Sequence, residues 1–164
     1  MPPRVAGATT AVWTPRAVLR RDGDVVNERF RVAPRCGDAP PRAADARCVG
    51  IMRRVTAARL RYCGLDALMD DALTIVSELL TNAVLHSGTT EIRLTVTHQD
   101  DFLRIEVYDG QEGSIQPKSA NDSDQSGRGL TIVESLVQEN DGKWGVSDDG
   151  TTVWCLLAAH QEES

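Results

Sequence analysis

The sequence predicts an α+β fold, a two-layer sandwich in which about three helices cover one face of a mixed, mostly antiparallel sheet. Three observations support it. Apolar residues recur at helical spacing over residues 43–62 and again over 68–86. The period changes to two after residue 91, and the remaining order is hairpin, long loop, helix and hairpin. At 164 residues, the chain has room for one compact domain.

The N-terminal part of the chain is predicted to hold an arm, a strand and a helix. Residues 1–24 are rich in Pro, Arg, Ala and Thr and lack periodicity, so we expect a flexible arm before a domain at 25–160. Residues 25–32 contain β-branched side chains and precede Pro34, which is compatible with an opening strand. The helix at 43–62 is expected to end near Gly64.

The second helix is predicted to begin with Asp66 as its N-cap. Its apolar stripe comprises Leu68, Ala72, Ile75, Val76, Leu79 and Ala83.

Two hairpins and a third helix complete the predicted elements. Apolar and polar residues alternate over 92–97 and 103–108, and the polar residues 98–101 form the turn between them. A helix at 130–137 precedes a second hairpin, with strands at 143–146 and 151–157. The polar segment 110–126 is too long for an ordinary connection, so it is either a functional lid or disordered.

Composition narrows the function classes. A formal charge of −6 and a pI near 5.0 provide no basic field, so we expect a protein or small-ligand partner rather than direct nucleic-acid binding. The four cysteines are widely spaced without a CxxC pair, which favours reduced thiols over a zinc site or disulfides. The chain lacks an apolar run of about 18 residues. Its start lacks a secretory apolar core, so we expect a cytoplasmic protein without membrane contact.

Glu78 and Asn82 form the first candidate site. They lie four residues apart, on one side of the second helix and at the edge of its apolar stripe. In a half-buried cleft, the carboxylate can accept a proton and the amide oxygen can bind Mg²⁺. The simpler interpretation is an exposed polar pair on an amphipathic helix.

Asp109 and the segment 127–129 form two further candidates. Asp109 follows a strand, where its carboxylate can accept a hydrogen bond from an amino group such as that of adenine, although Asp-Gly is also a common turn. Gly127, Arg128 and Gly129 open a helix, where glycines let backbone amides approach phosphate. The same glycines are compatible with a simple hinge.

Two other residues are open to functional and structural interpretations. His86 can be a metal ligand or a base, but a lone histidine in the last turn of a helix also interacts favourably with the helix dipole. Thr152 can contact a nucleotide, although threonine is common in strands.

Four motifs in order resemble the GHKL ATP-binding fold of histidine kinases and DNA gyrase: SELLTNAVLHSG, VYDG, GRGL and GTTVWCLL. They resemble more closely the anti-sigma-factor serine kinases and related actinobacterial regulators. The resemblance extends over about residues 28–158. It implies a sandwich of the GHKL (Bergerat) type, with the ATP lid at about 110–126.

The resemblance also implies roles for individual residues. Glu78 matches the catalytic carboxylate, and Asn82 matches the magnesium-coordinating asparagine. Asp109 matches the aspartate that recognises adenine. The remaining matches are to ATP-binding positions around the lid and in the late strand: Gly110, Gly127, Arg128, Gly129, Leu130 and Thr152.

The function implied is an ATP- and Mg²⁺-dependent protein serine kinase that also holds a sigma factor inactive. Its phosphate acceptor is expected to be a serine of an anti-sigma-factor antagonist of the STAS type, and the family relation implies a homodimer. The sequence departs from the family where Asp-x-Gly-x-Gly is expected and Asp109-Gly110-Gln111-Glu112-Gly113 stands. This departure puts turnover in question.

Two alternatives remain open. A non-catalytic module that binds a sigma factor or another regulator is favoured by the altered glycine spacing, while Glu78 and Asn82 argue against it. A histidine-kinase catalytic domain is disfavoured, because we identify no helical hairpin with a phospho-accepting histidine ahead of the domain.

Overall fold

The computed structural model describes residues 23–33, 40–86, 89–110 and 125–159. In chain order, its elements are β1 (Gly23–Arg31), α1 (Ala43–Tyr62), α2 (Met69–His86), β2 (Glu91–Gln99), β3 (Phe102–Tyr108), α3 (Gln125–Glu139), β4 (Lys143–Val146) and β5 (Thr152–Ala158). The five described strands form one sheet in the order β1-β2-β3-β5-β4. The described helices pack against the sheet and each other, which confirms the predicted α+β sandwich.

The sheet is antiparallel at every described pairing, so this part of the chain has no parallel pair of the kind a mixed sheet contains. Side chains alternate between the helix-covered face and the open face, and only the covered face is fully buried on β2 and β3. Apart from His98, the buried members are large aliphatic residues, as period-two patterns predict. The central ones are Ile92, Leu94, Val96, Leu103, Ile105 and Val107.

The hairpin between β2 and β3 closes over two residues instead of the four predicted. Asp100 and Asp101 both have positive φ, at 52° and 64°. Two consecutive residues in this region form a type I′ turn, whose twist matches that of the flanking strands. His98 and Gln99 therefore belong to the strand, and His98 is buried.

Three predicted boundaries differ from the structure. β1 begins at Gly23, two positions before the strand expected at 25–32; residues 1–22 lie outside the described part. Asp66 is the first residue of a short 3₁₀ turn and does not cap α2; Leu65 precedes the turn. α3 begins at Gln125, five residues early. Glycine has low helix propensity, so Gly127 and Gly129 made the first turn of α3 look non-helical in the sequence.

The end of α1 is fixed by a Schellman motif at Gly64, as the sequence predicted. Gly64 has a φ of 71°, which favours glycine. The Leu65 N–H donates to the Leu60 carbonyl at 2.9 Å, and the Gly64 N–H donates to Arg61 at 3.1 Å. Leu60 and Leu65 are both buried, so the apolar contact that accompanies this motif is present.

α2 and α3 run antiparallel across the sheet. At one end, the Asn140 side-chain amide, just after α3, donates to Asp71 Oδ2 near the start of α2 at 2.8 Å. At the other end, Gly129 in the first turns of α3 meets Glu78 and Asn82 in the second half of α2. This arrangement brings the start of α3 onto the candidate residues of α2.

Candidate functional site

Glu78, Asn82 and Gly129 form a close group between α2 and α3. A β-carbon on residue 129 would stand 2.6 Å from Glu78 Oε2 and 3.6 and 3.7 Å from Asn82 Nδ2 and Oδ1. Real β-carbon contacts are essentially never as short as the first of these distances. Glycine therefore allows the α3 backbone to lie directly on the Glu78 carboxylate, and a larger residue would move the end of that side chain.

The burial of these residues argues against an exposed polar pair. Glu78 and Asn82 are half-buried, Gly129 is buried, and their neighbours Leu79 and Ala83 belong to the core. Helical spacing of four residues puts both polar side chains on one side of α2, beside its apolar face. The Glu78 carboxylate and the Asn82 amide thus lie together beside the N-terminal end of α3.

Asp109 lies at the end of β3, and its side chain is fully buried, with 0% exposure. Its N–H donates to the Thr151 carbonyl at 3.0 Å, and the preceding Tyr108 pairs with Thr152 on β5. Gly110 follows with a φ of 73° and turns the chain away from the sheet. A plain surface turn leaves its aspartate in water, whereas this carboxyl group is enclosed by protein.

The Glu78–Asn82–Gly129 group and Asp109 lie at the same end of the sandwich. α2 ends at His86, one turn after Asn82, and β2 begins at Glu91. Near that start of β2, Arg93 pairs with Tyr108, the residue before Asp109. The C-terminal half of α2, the start of α3 and the β3–β5 end therefore face one region.

The donor set of this region suits a nucleotide and its magnesium ion. Glu78 and Asp109 provide carboxylates, Asn82 provides an amide oxygen, and the first turn of α3 provides backbone N–H groups. Gly129 leaves the cradle that a β-carbon would fill. Within the described residues, no cluster of three or more His, Cys, Asp or Glu side chains could hold a metal ion. The carboxylate and amide oxygens of Glu78 and Asn82 are of the kind that Mg²⁺ takes as ligands.

A family model for the histidine kinase-like ATPase domain matches residues 42–156, which is more than half of the chain. The chain belongs to the histidine kinase-like ATPase family. None of the curated proteins compared with the chain matches it. In the described part of this histidine kinase-like ATPase, no helix is long and apolar enough to span a membrane.

The remaining predicted site residues are placed in or beside β5 and at the start of α3. Leu130 is half-buried against the core. Thr152 is half-buried, and its hydroxyl oxygen lies 3.5 Å from that of Thr151. Gly127 and Arg128 are in the first turn of α3, where only the backbone is described. Residues 111–124, which make up most of the predicted lid, lie outside the described part of the chain. The side chain of His86 also lies outside it.

The turn between β4 and β5 also belongs to this region, which the sequence did not indicate. Asp149 Oδ1 accepts hydrogen bonds from the Thr151 hydroxyl at 2.7 Å and from the Thr151 N–H at 3.1 Å. Thr151 is buried and holds the backbone of Asp109. The Asp-Gly-Thr sequence signalled a turn, but its proximity to Asp109 depends on the pairing of β3 with β5.

The three cysteines in the described part of the chain differ in exposure. Cys48, Cys63 and Cys155 are free thiols, while Cys36 lies outside the described residues. Burial raises the pKa of the Cys155 thiol to about 12, and burial also raises the pKa of Cys63 despite the nearby Arg59. The free thiols agree with the expectation for these three residues.

Proposed function

We propose that this histidine kinase-like ATPase binds Mg²⁺-ATP and acts as an anti-sigma factor and protein serine kinase. The observation that supports it most is the contact of Gly129 with Glu78 and Asn82. It joins the predicted catalytic carboxylate, the predicted magnesium ligand and the phosphate-binding helix start in one group. The resemblance to anti-sigma-factor serine kinases supplies the finer assignment.

Each part of the nucleotide has a proposed partner in the chain. The buried Asp109 carboxylate accepts a hydrogen bond from the adenine amino group, and Thr152 closes the pocket beside it. Backbone N–H groups in the first turn of α3, with Gly127 and Arg128, bind the phosphates, because a helix N-terminus favours anions. Gly110, Gly129 and Leu130 complete the nucleotide contacts around the lid.

Phosphoryl transfer then depends on positioning and charge stabilisation. Asn82 would hold Mg²⁺, which when bound would supply positive charge against the phosphate oxygens. Glu78 accepts the proton of the attacking serine hydroxyl, whose oxygen forms a bond to the γ-phosphorus as the bond to ADP breaks. The products are phosphoserine and ADP, and the carboxylate later returns its proton to water.

The proposed partners are a sigma factor and a STAS-type antagonist that carries the acceptor serine. Unphosphorylated antagonist competes for this protein and releases the sigma factor, and phosphorylation ends that competition. The protein acts as a homodimer in the cytoplasm, where ATP and both partners are present. The family relation supports these assignments.

A non-catalytic regulator-binding module is the second candidate. The spacing of Gly110 and Gly113 after Asp109 favours it, because glycines at other positions alter how closely the backbone can approach a nucleotide. In that case, the sandwich binds its protein partner without transferring phosphate.

Calorimetric titration with Mg²⁺-ATP tests the binding part of the proposal. The wild type is expected to bind, and Asn82→Ala is expected to weaken binding by about tenfold or more, since an ion ligand is lost. Thr81→Ala is the matched control, because Thr81 is the exposed neighbour on α2. Absence of Mg²⁺-dependent binding by the wild type would overturn the proposal and favour the second candidate.

Phosphate transfer to a co-expressed STAS-type antagonist tests the kinase part. Glu78→Gln is expected to retain nucleotide binding and to lower transfer by about 100-fold or more, since it removes the proton acceptor. Mass spectrometry locates phosphate on the antagonist serine. ATP binding without any phosphorylated antagonist would reject the kinase and leave the binding module.

A further inference from the structure

The turn between β4 and β5 is organised by one exposed carboxylate. Asp149 Oδ1 accepts hydrogen bonds from the Ser147 hydroxyl at 2.7 Å, the Thr151 hydroxyl at 2.7 Å and the Thr151 N–H at 3.1 Å. These hydrogen bonds lower the pKa of Asp149 to about 2, and the one from the Ser147 hydroxyl has the largest effect. The carboxylate is therefore ionised at neutral pH and accepts all three bonds as a charged group.

The same turn is tied to the strand that follows it. Thr152 donates its N–H to the Ser147 hydroxyl oxygen at 3.0 Å, and the Ser147 N–H donates to the Thr152 carbonyl at 2.8 Å. Gly150 has a φ of 74° and closes the turn. Both threonines at the start of β5 are thus held through Asp149 and Ser147.

Thr151 connects this turn to the candidate nucleotide site. Its carbonyl accepts the Asp109 N–H at 3.0 Å, and Tyr108 pairs with Thr152 next to it. Asp109 is fully buried and Thr151 is nearly so. A short path of three hydrogen-bonded residues therefore leads from the exposed Asp149 to the buried aspartate.

We propose that Asp149 is a positioning residue of the ATP site, which acts through Thr151 to fix Asp109 where it meets the purine amino group. This inference rests on the proposed function. Its physical basis is that hydrogen-bond recognition needs groups held within about 0.5 Å of their productive positions, which requires supporting contacts. Without Asp149, Thr151 loses the acceptor of its hydroxyl and of its N–H, and its carbonyl is free to shift away from Asp109.

A simpler role for Asp149 is to stabilise the turn without any effect on recognition. The two roles differ in nucleotide selectivity. ATP has a 6-amino donor, whereas inosine triphosphate has a carbonyl acceptor at the same position. A misplaced Asp109 weakens ATP binding but not inosine triphosphate binding, whereas general loss of structure weakens both equally.

The experiment measures the dissociation constants of both nucleotides by calorimetry for the wild type and three variants. Asp149→Ala is expected to lower the preference for ATP by about fivefold or more, which corresponds to one weakened hydrogen bond. Asp149→Asn keeps an oxygen acceptor and should recover most of the preference. Asp148→Ala removes the same charge from the exposed neighbouring residue and should leave the preference unchanged. Thermal unfolding confirms that each variant is folded.

The outcomes separate this inference from the proposed function. If the wild type binds ATP and Asp149→Ala keeps the same preference, the inference is wrong and the proposed function stands. If Asp149→Ala weakens both nucleotides in equal proportion, Asp149 serves only the turn and the inference is again wrong. If the wild type binds no ATP, the proposed function fails and the inference fails with it.

Discussion

The backbone of Gly129 lies against the carboxylate of Glu78, so closely that a β-carbon on residue 129 would stand 2.6 Å from Glu78 Oε2. The contact joins α3, which follows the predicted lid, to the helix that bears the predicted catalytic group. A methyl group at position 129 would therefore displace the Glu78 carboxylate, while its distances to Asn82 would be ordinary contacts.

Gly129→Ala is expected to weaken Mg²⁺-ATP binding by about tenfold or more. The free energy of unfolding should change by no more than about 1 kcal/mol, because the displaced atom is the end of a flexible side chain and alanine favours the helix. The added methyl group must displace either the Glu78 carboxylate or the start of α3. Calorimetry and urea unfolding measure the two effects. Glu78→Ala in the same chain should relieve the contact, so the double variant should be more stable than the sum of the single effects predicts.

Gly50→Ala is the control for this substitution. A β-carbon at position 50 of α1 meets nothing within 4 Å, so the change should stabilise the helix by about 0.5–1 kcal/mol and leave binding unaltered. Unaltered Mg²⁺-ATP binding by both Gly50→Ala and Gly129→Ala would contradict a role for the contact with Glu78.

Asn140→Ala is expected to destabilise the fold by about 1–3 kcal/mol. The Asn140 amide donates to Asp71 Oδ2 and to the Leu136 carbonyl, each at 2.8 Å, and thereby joins the end of α3 to the start of α2. Urea unfolding of the single and double variants with Asp71→Ala gives the coupling between the two side chains. Strictly additive effects would show that the two residues do not stabilise each other.

The stability contributed by Asp149 should depend on pH. Hydrogen bonds from Ser147 and Thr151 lower its pKa from 3.8 to about 2 in the fold. Because the folded value is the lower one, the contribution is complete above the unfolded pKa and is lost as pH falls through the folded pKa. The gap in urea midpoint between wild type and Asp149→Asn should therefore shrink from about pH 5 to about pH 2. A gap that stays constant over this range would show that the charge of Asp149 adds nothing.

Cys155 should resist thiol reagents until the protein unfolds. It is fully buried on β5, and burial raises its thiol pKa to about 12, so the reactive thiolate is scarce at neutral pH. In a chain that keeps only this cysteine, the rate of labelling should follow the rate or extent of unfolding in urea. A chain that keeps only the half-buried Cys63 should react faster in the absence of urea. Equal rates for the two chains would contradict the burial of Cys155.

Local patterns in the sequence determined most of the fold. The period of α1 and the glycine at its end gave this helix its observed bounds, since its buried residues repeat at helical spacing and Gly64 adopts positive φ. Alternation gave β2 and β3 for the same reason. The pattern failed at the start of α3, where Gly127 and Gly129 weaken the helical signal and Gly129 makes a close tertiary contact with Glu78.

For the candidate site, too, the sequence determined some features and the tertiary structure determined others. The sequence alone selected Glu78, Asn82 and Asp109, because their residue types and motifs can be recognised along the chain. Only the tertiary structure decided that Gly129 touches the first two residues and that Thr151 holds the third. These contacts join positions that are distant in the chain, and they depend on how α3 packs on α2 and how β5 pairs with β3. A pattern with a period of two or 3.6 residues carries no information about such distances.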